Sequence, residues 1–287
     1  MNIINKSIGE IPFIEYDFNN KEKLIFLHAN AFHPNCYLPL FKELGKKYNI
    51  VSPFFRPLWK NPGSPEILTD WSLLKNDMIN FIENYGINKC NLLGHSLGGH
   101  IAFRIALERP NIINKAVLMD PIIFSQIKMF IWKFIQWTDF GYKHHPMIQI
   151  SKNQKIVHSS KDELFKKYRK KNIFKKISDP NLLCFIDGLT KPIKGCQIKI
   201  AFPKDWELRI YQSGGCSDKY IWKNIKDLKN KILIFHAEYT HAPKPSIVKK
   251  IINKSEYINS KYLNGASHFF PFEIPIDLSN NIVKYLN

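Results

Sequence analysis

The residues with the clearest capacity for chemistry lie in Asn91-Leu92-Leu93-Gly94-His95-Ser96-Leu97-Gly98-Gly99-His100. The spacing Gly-x-Ser-x-Gly follows an apolar run and precedes a helical pattern, which sets Ser96 on a sharp strand-to-helix turn. A side chain at Gly94 or Gly98 would collide with neighbouring backbone, so glycine there is a steric demand of the turn. The hydroxyl is thereby held out of a sheet, and the helix that starts at Ser96 aims free N–H groups at any negative charge developing beside it. Nucleophilic attack by a serine activated by a neighbouring base is the chemistry that this arrangement serves. A capping serine on a Gly-rich turn would account for Ser96 alone, but not for the partners found at both flanks.

Such a serine needs strands that end beside it. Residues 11–18 read as a strand, 23–28 (KLIFLH) as a short apolar run of the buried parallel kind, and 49–53 and 89–93 as further strands. Helical spacing covers 35–48, 70–85 with Asp70 as its cap and Gly86 as its terminator, and 96–109, before a strand at 115–119. This alternation predicts a mostly parallel sheet covered by helices on both faces. After Asp120 the rhythm breaks. Residues 121–220 bring an aromatic, apolar stretch (IIFSQIKMFIWKFIQW), a Lys-rich helical stretch from Asp162 to Lys171, and loops marked by Asp179-Pro180, Lys191-Pro192 and Gly214-Gly215. Alternation resumes with a strand at 231–236, a helix at 246–253, a strand at 257–263 and a closing helix at 275–286. The middle third therefore reads as an insertion into a continuous sheet.

The chain has 287 residues, of which 45% are hydrophobic and 23% charged, enough for one large core and one subdomain. Its net charge of +18 is mostly lysine and is spread along the chain. Even the densest run, Lys166 to Lys176, reads as a solvated helix face, and no specific nucleic-acid partner is expected. Cys36, Cys90, Cys184, Cys196 and Cys216 are too widely and irregularly spaced for a disulfide framework or a zinc site, which fits a reducing cytoplasm. No metal or cofactor is expected. The first residues lack the pattern of a secretory signal, and no run is long and apolar enough to predict a transmembrane helix. A monomer or a dimer is equally compatible with this composition.

The Gly-x-Ser-x-Gly turn, its flanking strand and helix, and the chain order around it resemble the α/β-hydrolase superfamily over nearly the full length. That resemblance implies a mostly parallel central sheet flanked by helices, with a largely helical cap inserted after the sixth strand. The core would comprise residues 1–120 and 221–287, and the cap residues 121–220. It also implies that His268, in Gly265-Ala266-Ser267-His268-Phe269-Phe270-Pro271, is the general base, since it follows the last predicted strand. A neutral imidazole can take the serine's proton and return it to a leaving group. The segment His28-Ala29-Asn30-Ala31-Phe32 is similar to the family's His-Gly-x-x loop. By that likeness the backbone N–H groups of Asn30 and Leu97 would bind an oxyanion, with the Asn30 amide as a further donor and His28 as a packing residue. The remaining histidines, His95 and His241 among them, read as surface or packing residues.

The acid is where the chain departs from its relatives. Most of them carry an aspartate after the seventh strand, where this sequence has Ala237-Glu238-Tyr239-Thr240 and Thr240 cannot ionise. Asp120, at the end of the sixth strand, is an alternative used by some members and is the preferred candidate, with Glu238 as its competitor. A serine at the turn sets the chain apart from dehalogenases and epoxide hydrolases of this fold, which carry an aspartate there. The expected substrate is a small or medium carboxylic ester, lactone or thioester. A C–C bond hydrolase with the same triad, and a catalytically weak receptor-like protein, stand as alternatives. Phe32, Trp132, Trp137 and Phe269 are candidate pocket residues, with Phe130, Phe134, Phe140 and Tyr142 adding to an aromatic roof.

Overall fold

A computed structural model describes residues 1–214, 218–240 and 242–287; Gly215, Cys216, Ser217 and His241 lie outside the described residues. In chain order the first part consists of β1 (Asn2–Ile8), β2 (Ile11–Asp17), β3 (Lys23–Leu27), α1 (Leu38–Leu44), β4 (Asn49–Pro53), α2 (Ser72–Asn84), β5 (Cys90–His95), α3 (Leu97–Glu108) and β6 (Ile113–Met119). The insertion comes next, with α4 (Gln126–Ile135), α5 (Asp139–His144), α6 (Pro146–Lys152), β7 (Val157–His158), α7 (Lys161–Arg169), α8 (Asp179–Leu189), β8 (Thr190–Pro192), β9 (Ile198–Ile200), α9 (Lys204–Ser213) and α10 (Asp218–Asn224). The chain closes with β10 (Lys231–Tyr239), α11 (Pro245–Ile252), β11 (Ile258–Ser267), α12 (Phe270–Glu273) and α13 (Pro275–Leu286).

Eight strands make one sheet in the order β1-β2-β4-β3-β5-β6-β10-β11. From β4 to β11 neighbouring strands are parallel, while β1 and β2 form an antiparallel hairpin at one edge. The parallel strands are apolar on both sides because both faces are covered. Along β3, Ile25 and Leu27 face the core shared with α2 and α3, and Leu24 and Phe26 face the one shared with α1 and α13. The register pairs Leu27 with Gly94, Gly94 with Leu118, and Met119 with Phe235. The carboxyl ends of β3, β5, β6 and β10 therefore lie side by side, where an α/β sheet presents its loops to a ligand.

Most strand and helix expectations agree with these elements within a few residues. The helix expected over 35–48 is a 3-10 turn, Pro34–Tyr37, followed by α1, since Pro39 fits only at the start of an α-helix. Two loop expectations are corrected. Asp179-Pro180 opens α8, with Ser178 as its cap and proline in the first turn, where a missing N–H costs nothing. Lys191-Pro192 lies in β8, at the edge of a three-stranded antiparallel sheet ordered β7-β9-β8 within the insertion. Proline is tolerated on such an edge, and strands of two or three residues are too short to show alternation. Among the described residues no helix is long and apolar enough to cross a membrane.

Candidate active site

Ser96 stands between β5 and α3 with φ +56° and ψ −112°, a strained backbone position for a residue with a side chain. The surroundings enforce it. Its N–H donates to Met119 O at 2.9 Å, and its carbonyl accepts from His100 N at 3.0 Å and Ile122 N at 3.2 Å. A Cβ at Gly98 would lie 2.1 Å from Leu27 O, and one at Gly94 would lie 2.3 Å from Gly98 O. Both glycines are thus required where α3 passes over the strand ends.

His268 follows β11, and its N–H donates to Tyr239 O at 3.1 Å. Its ring joins two other residues: Nε2 is 3.1 Å from Ser96 Oγ, and Nδ1 is 2.6 Å from Asp120 Oδ2. A carboxylate only accepts, so Nδ1 carries the proton and Nε2 is free to accept from the serine hydroxyl. Asp120 is fully buried at the end of β6, in a left-handed conformation with φ +47°. Ala237 N donates to its Oδ1 at 3.2 Å, and Thr240 Oγ1 donates to Oδ2. Three donors therefore offset the burial of this carboxylate. Glu238 is turned elsewhere: its Oε2 accepts from Gly265 N at 2.8 Å on the exposed side of the loop.

Behind His268 lies His95, the second residue of the Gly-x-Ser-x-Gly run and fully buried. Its Nε2 is 3.0 Å from His268 O, and its Nδ1 is 2.7 Å from the Tyr37 hydroxyl, which accepts from Ala29 N at 3.2 Å. A carbonyl can only accept, so Nε2 carries the proton and Tyr37 donates to Nδ1. Burial, with the nearby His268 adding to it, holds the His95 pKa well below the ordinary imidazole value, and the ring is neutral. This chain of bonds ties the loop after β3 to the backbone that carries His268. Sequence alone places His95 among packing residues, and the only signal of its second task is its place beside Ser96.

The loop after β3 carries Asn30, 8% exposed, and Ala31 with φ +65°. The Asn30 side chain, expected as a further oxyanion donor, directs its Nδ2 to Glu207 O in α9 at 3.3 Å. Leu97 is the first residue of α3, whose opening N–H groups have no partner within the helix. His28 lies under the loop: Nδ1 donates to Ala29 O at 2.8 Å, and Nε2 accepts from Phe55 N at 3.2 Å. Burial lowers its pKa to about 3.

Phe32 and Phe269 lie together beside His268, with ring centroids 5.8 Å apart. Phe185 of α8 meets Phe32 at 5.1 Å, and Phe174 meets Phe269 at 5.3 Å, so the insertion supplies half of this aromatic cluster. Trp132 is half-buried and donates from Nε1 to Gln212 O at 3.2 Å. The outer members of the expected aromatic roof lie at the surface. Phe130, Phe134, Trp137 and Phe140 are exposed, and among the described residues no ring contact joins them to Phe32, His268 or Phe269.

A family model described as "Serine aminopeptidase, S33" matches residues 20–187, more than half of the chain. The chain belongs to this family of α/β hydrolases. The chain is 25% identical over 196 residues to the "Uncharacterized hydrolase YugF" of Bacillus subtilis, covering 66% of this chain and 64% of that protein. It is 26% identical over 132 residues to "Ethanol acetyltransferase 1" of Hanseniaspora uvarum, covering 44% of this chain and 37% of that protein. The chain thus spans less than half the length of the curated ethanol acetyltransferases that it matches. Its backbone superposes on the crystal structure of E-2-(acetamidomethylene)succinate hydrolase with a TM-score of 0.78, at 13% identity and 99% coverage of both chains.

Proposed function

We propose that this α/β hydrolase cleaves a small or medium carboxylic ester, lactone or thioester through an acyl-enzyme on Ser96. The observation that carries the reading is the unbroken run from Ser96 Oγ through the His268 ring to Asp120, with contacts of 3.1 and 2.6 Å. His268 Nε2 takes the hydroxyl proton as Oγ bonds to the acyl carbon. The oxyanion that forms accepts from the backbone N–H groups of Asn30 and Leu97. The tetrahedral carbon then expels the leaving group, which receives the proton from Nε2. Water, deprotonated by the same nitrogen, attacks the acyl carbon and returns the serine. Asp120 holds the Nδ1 tautomer and stabilises the imidazolium in both halves. Residues 121–220 act as the cap in this reading, and Phe32 and Phe269 give the acyl group an apolar wall.

Similarity to the ethanol acetyltransferases supports a second fate for the acyl-enzyme, attack by an alcohol instead of water. Product analysis with ethanol present separates the two, since a transferase forms an ethyl ester at the expense of free acid. The primary test is intact-mass measurement after reaction with a fluorophosphonate. Wild type and Glu238→Gln should label at the same rate, Asp120→Asn far more slowly, and Ser96→Ala not at all. Folded wild-type protein that stays unlabelled by small probes, and turns over no member of an ester panel graded by acyl length, would falsify the proposal.

A further inference from the structure

Helix α4 is anchored on one side only. Ser125 caps it by accepting from Lys128 N at 3.3 Å; Met129 packs against the core, Trp132 bonds Gln212 O, and Gln136 is buried just past its end. The opposite face presents Ile127, Phe130, Ile131 and Phe134, at helical positions i, i+3, i+4 and i+7, and Trp137 continues the stripe one turn on. All five are exposed, Ile127 at 74%, Phe130 at 67% and Phe134 at 65%. Phe130 and Phe134 stack edge to face at 4.9 Å, which makes the stripe continuous. The Arg209 guanidinium lies over its far end, 4.3 Å from the centroid of the Trp137 ring, while Ile127, Phe130, Ile131 and Phe134 stay exposed. Water-exposed apolar surface of this kind marks an interaction site.

The charges around the stripe identify its occupant. Lys128 and Lys133 lie on its two flanks, both exposed, with aliphatic stems that can lie along an apolar layer while the ammonium groups stay in a polar one. Between residues 121 and 160 the chain has five lysines and one acid, Asp139. A second copy docking face to face would bring these like charges together. A polynucleotide would pair the lysines but leave bulky phenylalanines against phosphate and water. A lipid surface with anionic headgroups satisfies both sets of groups, with the rings in the acyl boundary and the lysines at the phosphates.

We propose that the outer face of α4 docks the protein, as a peripheral and not a spanning one, on an anionic bilayer surface. Such docking is independent of the chemistry assigned to Ser96. The experiment is co-sedimentation of the full chain with vesicles of phosphatidylcholine alone and of phosphatidylcholine mixed with phosphatidylglycerol. Binding is expected on the mixed vesicles and not on the neutral ones. Phe130→Ser/Phe134→Ser should weaken it by about tenfold or more. Lys128→Glu/Lys133→Glu should weaken it by at least about fivefold per lysine. Circular dichroism checks that each variant is folded, and because all four side chains are exposed, neither fold should depend on them. Three results overturn the proposal: no binding to the mixed vesicles, equal binding to neutral ones, or binding that the phenylalanine pair does not affect, which would leave net charge alone as its cause. Size-exclusion chromatography with light scattering covers the remaining occupant. A dimer that the phenylalanine variant abolishes, with vesicles unbound, would assign the face to a second copy.

Discussion

At Asp120, three hydrogen bonds converge on one buried carboxylate, one from His268 and two from the end of β10, where Thr240 supplies one of them. Thr240, at the position where the family resemblance would put an acid, is thus a donor to the acid of this chain's proposed triad. Asp120→Asn should reduce the rate of fluorophosphonate labelling by up to about four orders of magnitude, because an amide at this place favours the wrong tautomer of His268. Thr240→Val should cost far less, roughly tenfold, since it removes one of three donors and no charge. Equal losses in the two variants would show that Thr240 does more than support Asp120. Along the sequence, Asp120 and Glu238 are separated only by plausibility. What distinguishes them is the course of β10, which turns Glu238 toward Gly265 and leaves Ala237 N facing Asp120. Ser96 was legible because its neighbours must be glycines, whereas His95 fills a position that the turn leaves free, so its bond to His268 O left no mark in the sequence.

Helix α8 passes close to the 3-10 turn before α1. A Cβ on Gly188 would lie 2.3 Å from the backbone nitrogen of Cys36, in the 3-10 turn before α1. Gly188→Ala must therefore push the two elements apart, and it should lower stability by about 1–3 kcal/mol, read as a lower urea midpoint with unchanged slope. The same displacement would move Phe185 off Phe32 and loosen the aromatic wall beside His268. An unchanged midpoint would mean that α8 is not held where it is seen. The sheet strands were legible because burial on both faces leaves unbroken apolar runs such as KLIFL. The strands of the insertion were not, since β7 has two residues and β8 and β9 have three each. Asp179-Pro180 misled for a different reason: the same dipeptide suits a loop turn and the first turn of a helix, and only the packing of the next residues decides.

For the whole molecule, buried neutral histidines set one limit on acid tolerance. His28 has its pKa lowered by burial from 6.5 to about 3, so between those values the unfolded chain binds a proton that the folded one refuses. Its contribution is complete above the ordinary imidazole value and is lost as pH falls, at about 1.4 kcal/mol per pH unit. Buried Asp218, whose pKa is raised by desolvation, acts in the opposite direction, so the net slope is not that of the histidines alone. Urea unfolding at pH 7 and pH 5 should show wild type losing stability on acidification and His28→Gln losing less of it. Parallel slopes in the two proteins would place the proton elsewhere. The pairing of β6 with β10 also governs how the chain assembles, because its partners Met119 and Phe235 are separated by the entire insertion. Closing so long a loop is slow, and a ribosome must deliver the whole intervening segment before that pairing can begin. Asp120 leaves β6 and His268 leaves β11, so the two meet only after this closure. On refolding from urea, competence to react with a fluorophosphonate should accordingly lag behind the return of helical circular dichroism.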